Sequence, residues 1–101
     1  MLKQDIKKYI YQSLKRITKE NNKWPIFCIN EIPLNIQNDE KFGDYSTTIA
    51  FLVSKKLQKH PTEVAKILLD ELQKNPPKQI IKIELAQNGF INFYLDKKCV
   101  Q

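Results

Sequence analysis

Glycine and arginine are nearly missing from this chain and cysteine and histidine are scarce, and each shortage closes off a class of function. Only Gly43 and Gly89 occur in 101 residues, so there is no glycine-rich loop whose backbone N–H groups would cradle phosphates. The two cysteines, Cys28 and Cys99, are too few for a disulfide framework and too isolated for a zinc site. They read as inert thiols of a reducing compartment. The one histidine, His60, directly precedes Pro61 and reads as a helix cap or solvent residue. No Cys, Ser or Lys has a base beside it in sequence, and Asp39/Glu40 and Asp70/Glu71 read as solvated carboxylates. No catalytic residue and no metal ligand set is expected. Apolar runs stay far below the ~18 residues of a membrane span, and the start, MLKQDIKKYIYQ, lacks the unbroken apolar stretch of a secretory signal. The expectation is a soluble, cytoplasmic domain with no membrane partner.

What is present points to a small folded unit. The length suits one domain over residues 1–101, burying roughly 60–68% of its unfolded surface. A hydrophobic fraction of 42% argues against disorder. Seventeen Lys+Arg against eleven Asp+Glu leave a formal charge of +6. Sixteen of the seventeen are lysines, Arg16 being the exception, and thirteen Ile and eight Asn accompany three Ala. That bias is typical of an AT-rich genome, so the charge is partly a compositional habit. It is compatible with phosphate neutralisation without demanding it.

Leu2, Ile6, Ile10, Leu14 and Ile17 recur in steps of four and three, defining one face of a helix over residues 1–20 whose flank is lysine-rich. Asn21-Asn22 ends it, and Ile26 to Ile29 are β-prone enough for a buried strand. Beyond Pro33, Leu34-Asn35-Ile36 is an edge strand or a loop. A polar loop over residues 37–41 follows. Asp44 then suits the N-cap of a second helix carrying Ile49, Leu52, Val53 and Leu57. Pro61 opens a third helix with Val64, Ile67, Leu68 and Leu72, and Asn75-Pro76-Pro77 stops it.

The clearest β signal is near the end. Ile81, Ile83 and Leu85 alternate with Lys82, Glu84 and Ala86, then Asn88-Gly89 precedes the run Phe90 to Leu95, the mark of a hairpin. Ile91, Phe93 and Leu95 make a continuous apolar face, so Phe90, Asn92 and Tyr94 point the other way. Two rings then flank one amide on an open sheet face, beside the strand carrying Lys82. Exposed rings stack on unpaired bases, an amide reads a base edge, and lysines meet phosphates. The alternative is that the rings pack under a helix and leave Asn92 at a rim.

Two stretches together resemble a known family. Phe42-Gly43-Asp44-Tyr45-Ser46-Thr47-Thr48-Ile49-Ala50 with Pro61-Thr62-Glu63-Val64-Ala65, and then the run from Ile83 to Leu95 containing Gly89-Phe90-Ile91-Asn92-Phe93, are similar to the N-terminal additional domain of arginyl-tRNA synthetases. The resemblance implies an α+β domain of two layers, helices packed on one face of a small antiparallel sheet that ends in a β-hairpin. It implies a place before a class I catalytic domain and contact with the D-loop at the outer corner of tRNA-Arg. Matched residue by residue, the tRNA-reading positions are Phe90, Asn92 and Gln87. Tyr45 is a further candidate for the ligand face, although capping and packing of the second helix also explain the Gly-Asp-Tyr motif. Thr48 stands where the family commonly has Asn, and Gln87-Asn88 where it often has a Gly-Pro-like turn.

The synthetase signatures, a His-x-Gly-His turn that binds ATP and a Lys-Met-Ser-Lys loop, do not occur in these residues. The resemblance therefore implies the N-terminal portion of a longer arginine–tRNA ligase, with Lys97 onward as an unfinished tail. The whole protein would attach arginine to tRNA using ATP with Mg2+. This portion would need no cofactor, and its partners would be tRNA-Arg and its own catalytic domain. Two competing readings are a protein-docking or stabilising domain with little RNA affinity and a free-standing RNA-binding domain.

Overall fold

The computed structural model describes residues 3–37, 43–86 and 88–96. Helix α1 spans Lys3–Glu20 and buries Ile6, Tyr9, Ile10, Ser13, Leu14 and Ile17, the stripe that its periodicity predicts. A short strand, β1 (Asn35–Ile36), precedes β2 (Tyr45–Thr47), α2 (Ile49–Leu57), α3 (Pro61–Lys74), β3 (Ile80–Leu85) and β4 (Ile91–Leu95). The strands form one antiparallel sheet in the order β1-β2-β4-β3. α3 lies between α1 and α2 and packs against β3. Ile80, Ile83, Ile91, Phe93 and Leu95 share one core with the buried stripes of all three helices. The expected α+β architecture with its C-terminal hairpin is what the chain adopts.

α3 begins at Pro61 behind an N-cap His60, whose Nδ1 lies 3.2 Å from Thr62 Oγ1 in solvent, and ends at Lys74 before Asn75-Pro76-Pro77. Buried Val64, Leu68 and Leu72 fit the expected stripe, whereas Ile67 is exposed. Glu71, expected to be solvated, is instead buried beneath α1. It accepts from Arg16 Nε at 2.8 Å and from Lys74 Nζ at 3.2 Å, while Arg16 also donates to Ser13 Oγ. The Tyr9 hydroxyl donates to the Leu72 carbonyl on the same seam. The Arg16 hydrogen bond, opposed by burial and reinforced by Lys74, holds the Glu71 carboxyl below the usual glutamate range. A carboxyl whose pKa is depressed by folding adds stability above its unfolded value and loses it as the pH falls through the folded one. Glu71→Gln is therefore expected to cost about 1–2 kcal/mol at pH 7. Denaturant titrations should show that difference shrinking steadily below about pH 4.3. A difference that does not change between pH 7 and pH 3 would contradict this role.

Further expectations are corrected. Residues 26–29 are not a strand: Trp24 and Phe27 turn inward, Ile26 is 85% exposed and Cys28 is exposed. A 3-10 turn over Ile29–Glu31 ends the segment, with Glu31 Oε1 accepting from the Cys28 N–H at 2.8 Å. The second correction concerns Asp44, which caps no helix. The N-cap of α2 is Thr48, and residues 45–47 are strand because they pair with β4. Asp44 instead clasps that strand: its N–H donates to the Phe93 carbonyl and its Oδ2 accepts from the Leu95 N–H, both at 2.8 Å. Third, β3 carries a bulge between Ile80 and Lys82, so Ile80 faces the core and Ile81 is 65% exposed. Leu52, placed on the α2 core stripe, is also exposed. The short β1 settles the choice left at Leu34-Asn35-Ile36 in favour of an edge strand.

The hairpin forms, closed by Ala86 and Phe90 rather than by a two-residue Asn-Gly turn. Gly89, at φ +97°, donates its N–H to the Ala86 carbonyl, and the Ala86 N–H donates to the Phe90 carbonyl at 2.8 Å. A left-handed glycine is a common way for a hairpin loop to return to its second strand. Among the described residues, no helix is long and apolar enough to cross a membrane.

Candidate functional site

Pairing register fixes which side chains share the sheet face away from the helices. Asn92 lies opposite Ser46 on β2 and Glu84 on β3, Tyr94 lies opposite Lys82, and Asn35 lies opposite Ser46. Directly paired residues project to the same side, so Asn35, Ser46, Lys82, Glu84, Asn92 and Tyr94 form one polar face. The even positions of the last strand do point away from the core.

Asn92 is nonetheless only 4% exposed, and Ser46 beside it 1%. The expectation of an amide on an open surface is corrected to an amide on the floor of a pocket. Gln37, two residues past Asn35, donates from Nε2 to Ser46 Oγ at 2.6 Å and walls one side. The hairpin loop walls another. A depression of about 240 Å³ results, lined by Gln37, Ala86, Asn88, Phe90 and Asn92. One planar group with hydrogen-bonding edges fits such a space between an aromatic rim and an amide floor.

Phe90 is half-buried. Its ring meets Phe51 of α2 edge to face, with centroids 5.5 Å apart and planes at 76°. That geometry is favourable for aromatic pairs and fixes the ring's orientation. Both earlier readings of Phe90 thus hold in part, since it packs on a helix and still lines the pocket. Gly89 explains how it is carried there: a Cβ at that position would lie 3.3 Å from Pro61 Cβ and 3.6 Å from Phe51 Cζ.

The remaining candidates do not all converge. Tyr94 shares the face but does not line the pocket. Its hydroxyl donates to Glu84 Oε1 at 3.4 Å, and Lys82 Nζ sits 5.1 Å from its ring centroid. Lys82 Nζ is 2.8 Å from Glu84 Oε2. That hydrogen bond raises the Lys82 pKa and lowers that of Glu84, and burial raises that of Tyr94. Tyr45 pairs with Phe93 and so projects to the opposite, core side, where it packs against buried residues. It is not joined to Phe90 and Asn92. Gln87 lies outside the described residues. Gln37, Ala86 and Phe51 were missed because only the pairing of β1 with β2 and the packing of the hairpin on α2 bring them close. No periodicity in the sequence marks them.

The site therefore belongs to a class of small α+β domain that carries a polar, aromatic-rimmed pocket on the free face of its sheet. Residues 4–95 match the family model described as arginyl tRNA synthetase N terminal domain. The chain belongs to that family. It is 51% identical over 57 residues to the arginine–tRNA ligase of Pelodictyon phaeoclathratiforme, covering 56% of this chain and 10% of that protein. It is 41% identical over 70 residues to the arginine–tRNA ligase of Staphylococcus carnosus, covering 69% of this chain and 12% of that one. The aligned stretches thus span only about a tenth of the length of these relatives. The fold is similar to the arginyl-tRNA synthetase of Thermus thermophilus, with a TM-score of 0.73 at 24% identity over 97% of this chain and 14% of that one. The arginyl-tRNA synthetase of Plasmodium falciparum gives 0.68 at 19% identity over 93% and 16%.

Proposed function

We propose that this domain binds tRNA-Arg by contacting the D-loop at the outer corner of the folded tRNA, as part of an arginine–tRNA ligase. The observation that carries the reading is the convergence of Phe90 and Asn92 on one pocket of about 240 Å³. Those are two of the three positions that the family resemblance assigns to reading a nucleotide, the third, Gln87, lying outside the described residues. An unpaired base stacks on the Phe90 ring while the Asn92 amide, with Gln37 and Asn88 at the edge, satisfies its hydrogen-bonding groups. Stacking of this kind contributes about 1–3 kcal/mol per base, and the formal charge of +6 adds general attraction for phosphates.

Arginine attachment to tRNA, with ATP and Mg2+, is the activity we propose for the longer protein rather than for these residues. Gly43 backs onto the Phe93 carbonyl and Gly89 onto Pro61, so packing against neighbouring backbone and side chain accounts for both glycines. Among the described residues no group of three or more His, Cys, Asp or Glu stands where a metal ion would need it.

The test compares binding of a tRNA-Arg transcript with that of a transcript changed only at unpaired D-loop bases. Fluorescence anisotropy should show the unaltered RNA binding roughly 10-fold or more tightly, the equivalent of one stacked base. Equal affinities would overturn the reading. A second reading, docking to a protein body, draws on the strongly exposed Ile26 beside a small apolar groove lined by Tyr11, Leu14, Pro25 and Phe27. Tight association with a catalytic body supplied in trans, together with negligible RNA affinity, would favour it.

A further inference from the structure

The pocket has two sides, and they differ in charge. Toward β3 it meets Glu84, which pairs directly with Asn92 in the register. The cation on that strand, Lys82, is held 2.8 Å from the Glu84 carboxylate and above the Tyr94 ring, so the cluster offers a phosphate no net positive charge. Toward the hairpin loop the pocket's rim is Phe90, and beyond Phe90 stands Phe51. Phe51 and Lys55 are four residues apart on α2 and so occupy the same helix face, one turn apart. The segment then turns at Gln58, a left-handed C-cap whose position is followed by the Lys59 N–H donating to the Ser54 carbonyl. It returns to the hairpin at Pro61, which a Cβ on Gly89 would approach to 3.3 Å. Both ends of the stretch from Phe51 to Pro61 thus abut the hairpin loop. Lys55, Lys56 and Lys59 between them are exposed and, among the described residues, form no ion pair.

We propose that RNA leaving the Phe90–Asn92 pocket crosses the Phe51 edge and sets its phosphates on Lys55 and Lys59 at the α2–α3 turn, not on Lys82. The inference rests on the RNA-binding reading of the pocket and adds to it a direction and a second contact surface. A strand threaded the other way would carry its phosphates past Glu84, at a cost in like-charge repulsion. Threaded this way, it meets an aromatic edge and then unpaired cations, the alternation that suits a base followed by its backbone.

The test measures the salt dependence of tRNA-Arg binding for the chain, for Lys55→Gln/Lys59→Gln and for Lys82→Gln. All three sites are exposed, and at Lys55, the one of them inside a helix, glutamine matches lysine closely in helix propensity, so folding is not at issue. Losing two phosphate contacts should flatten the slope of log affinity against log salt by about 1.4, at ~0.7 per single-strand contact. Affinity at moderate salt should fall roughly tenfold, while the preference for the unaltered D-loop persists. Lys82→Gln should leave the slope within about 0.3 of the parent. An unchanged slope in the double variant, or equal flattening by Lys82→Gln, overturns the lysine track. If the parent chain shows no D-loop preference the pocket reading itself has failed. If preference persists with an unchanged slope, only the track has failed.

Discussion

Gly43→Ala is expected to lower the stability of this domain by about 2–4 kcal/mol, one of the largest effects available to a single methyl group in it. Gly43 sits at φ +82°, where an L-residue is strained by about 1 kcal/mol. More costly, a Cβ there would lie 2.6 Å from the Phe93 carbonyl oxygen, which belongs to backbone already bonded to the Asp44 N–H. Neither partner can give way without disturbing the junction of β2 and β4, the two central strands. For a domain of this size that cost corresponds to a fall in Tm of roughly 10–20 °C. Gly89→Ala supplies the comparison. Its φ is similarly left-handed, but the tightest contact of its Cβ would be Pro61 Cβ at 3.3 Å, so it should cost about 1 kcal/mol. Thermal melts that rank Gly89→Ala as the worse change, or leave Gly43→Ala within about 2 °C of the parent, would show that the clasp at Gly43-Asp44 is not as tight as described.

The second large effect concerns binding. Phe90→Leu and Asn92→Ser are each expected to weaken tRNA-Arg binding by about 10- to 100-fold, the scale of one lost stack or one unanswered base edge. Leucine is chosen because Phe90 also packs on Phe51. It keeps apolar volume against α2 while removing the aromatic face, so a binding loss cannot be ascribed to unfolding. Tyr45→Phe, on the core side of β2, should leave binding within about twofold because that ring faces away from the pocket. Anisotropy titrations beside melts of each variant check this. Wild-type affinity in both Phe90→Leu and Asn92→Ser would exclude the pocket as the contact, as would an equal loss in Tyr45→Phe.

The parts of this fold that sequence made legible are those with many residues obeying one period. The four-and-three spacing along α1, the Pro61 start and Asn75-Pro76-Pro77 stop of α3, and the alternation after Gly89 all rest on local rules, and they hold. What stayed hidden depends on distant pairing. Tyr45 to Thr47 is a strand of three residues, too short for a period, and becomes one only against β4. Asp44 is chemically a good cap, but the Leu95 N–H across the sheet outbids the helix for its carboxylate. The slip at Ile81 exists only in the register with β4.

The candidate site divides along the same line. The shared direction of Asn92 and Tyr94 follows from strand alternation. The burial of Asn92 does not, because Gln37 reaches the pocket through β1 and Phe51 supports Phe90 from a helix. Tyr45 looked equivalent to the other aromatics in sequence. Cross-strand pairing with Phe93 turned it inward.

The central claim is that one pocket of this domain reads an unpaired D-loop base. Its most direct test is an NMR titration of the isotopically labelled chain with a tRNA-Arg transcript and with the D-loop-substituted transcript, at moderate salt. The account predicts amide and side-chain shifts concentrated at Gln37, Asn88, Phe90 and Asn92 with the first RNA and absent with the second. Shifts spread over the lysines of α1 and identical for the two RNAs would contradict it, leaving only general electrostatic attraction.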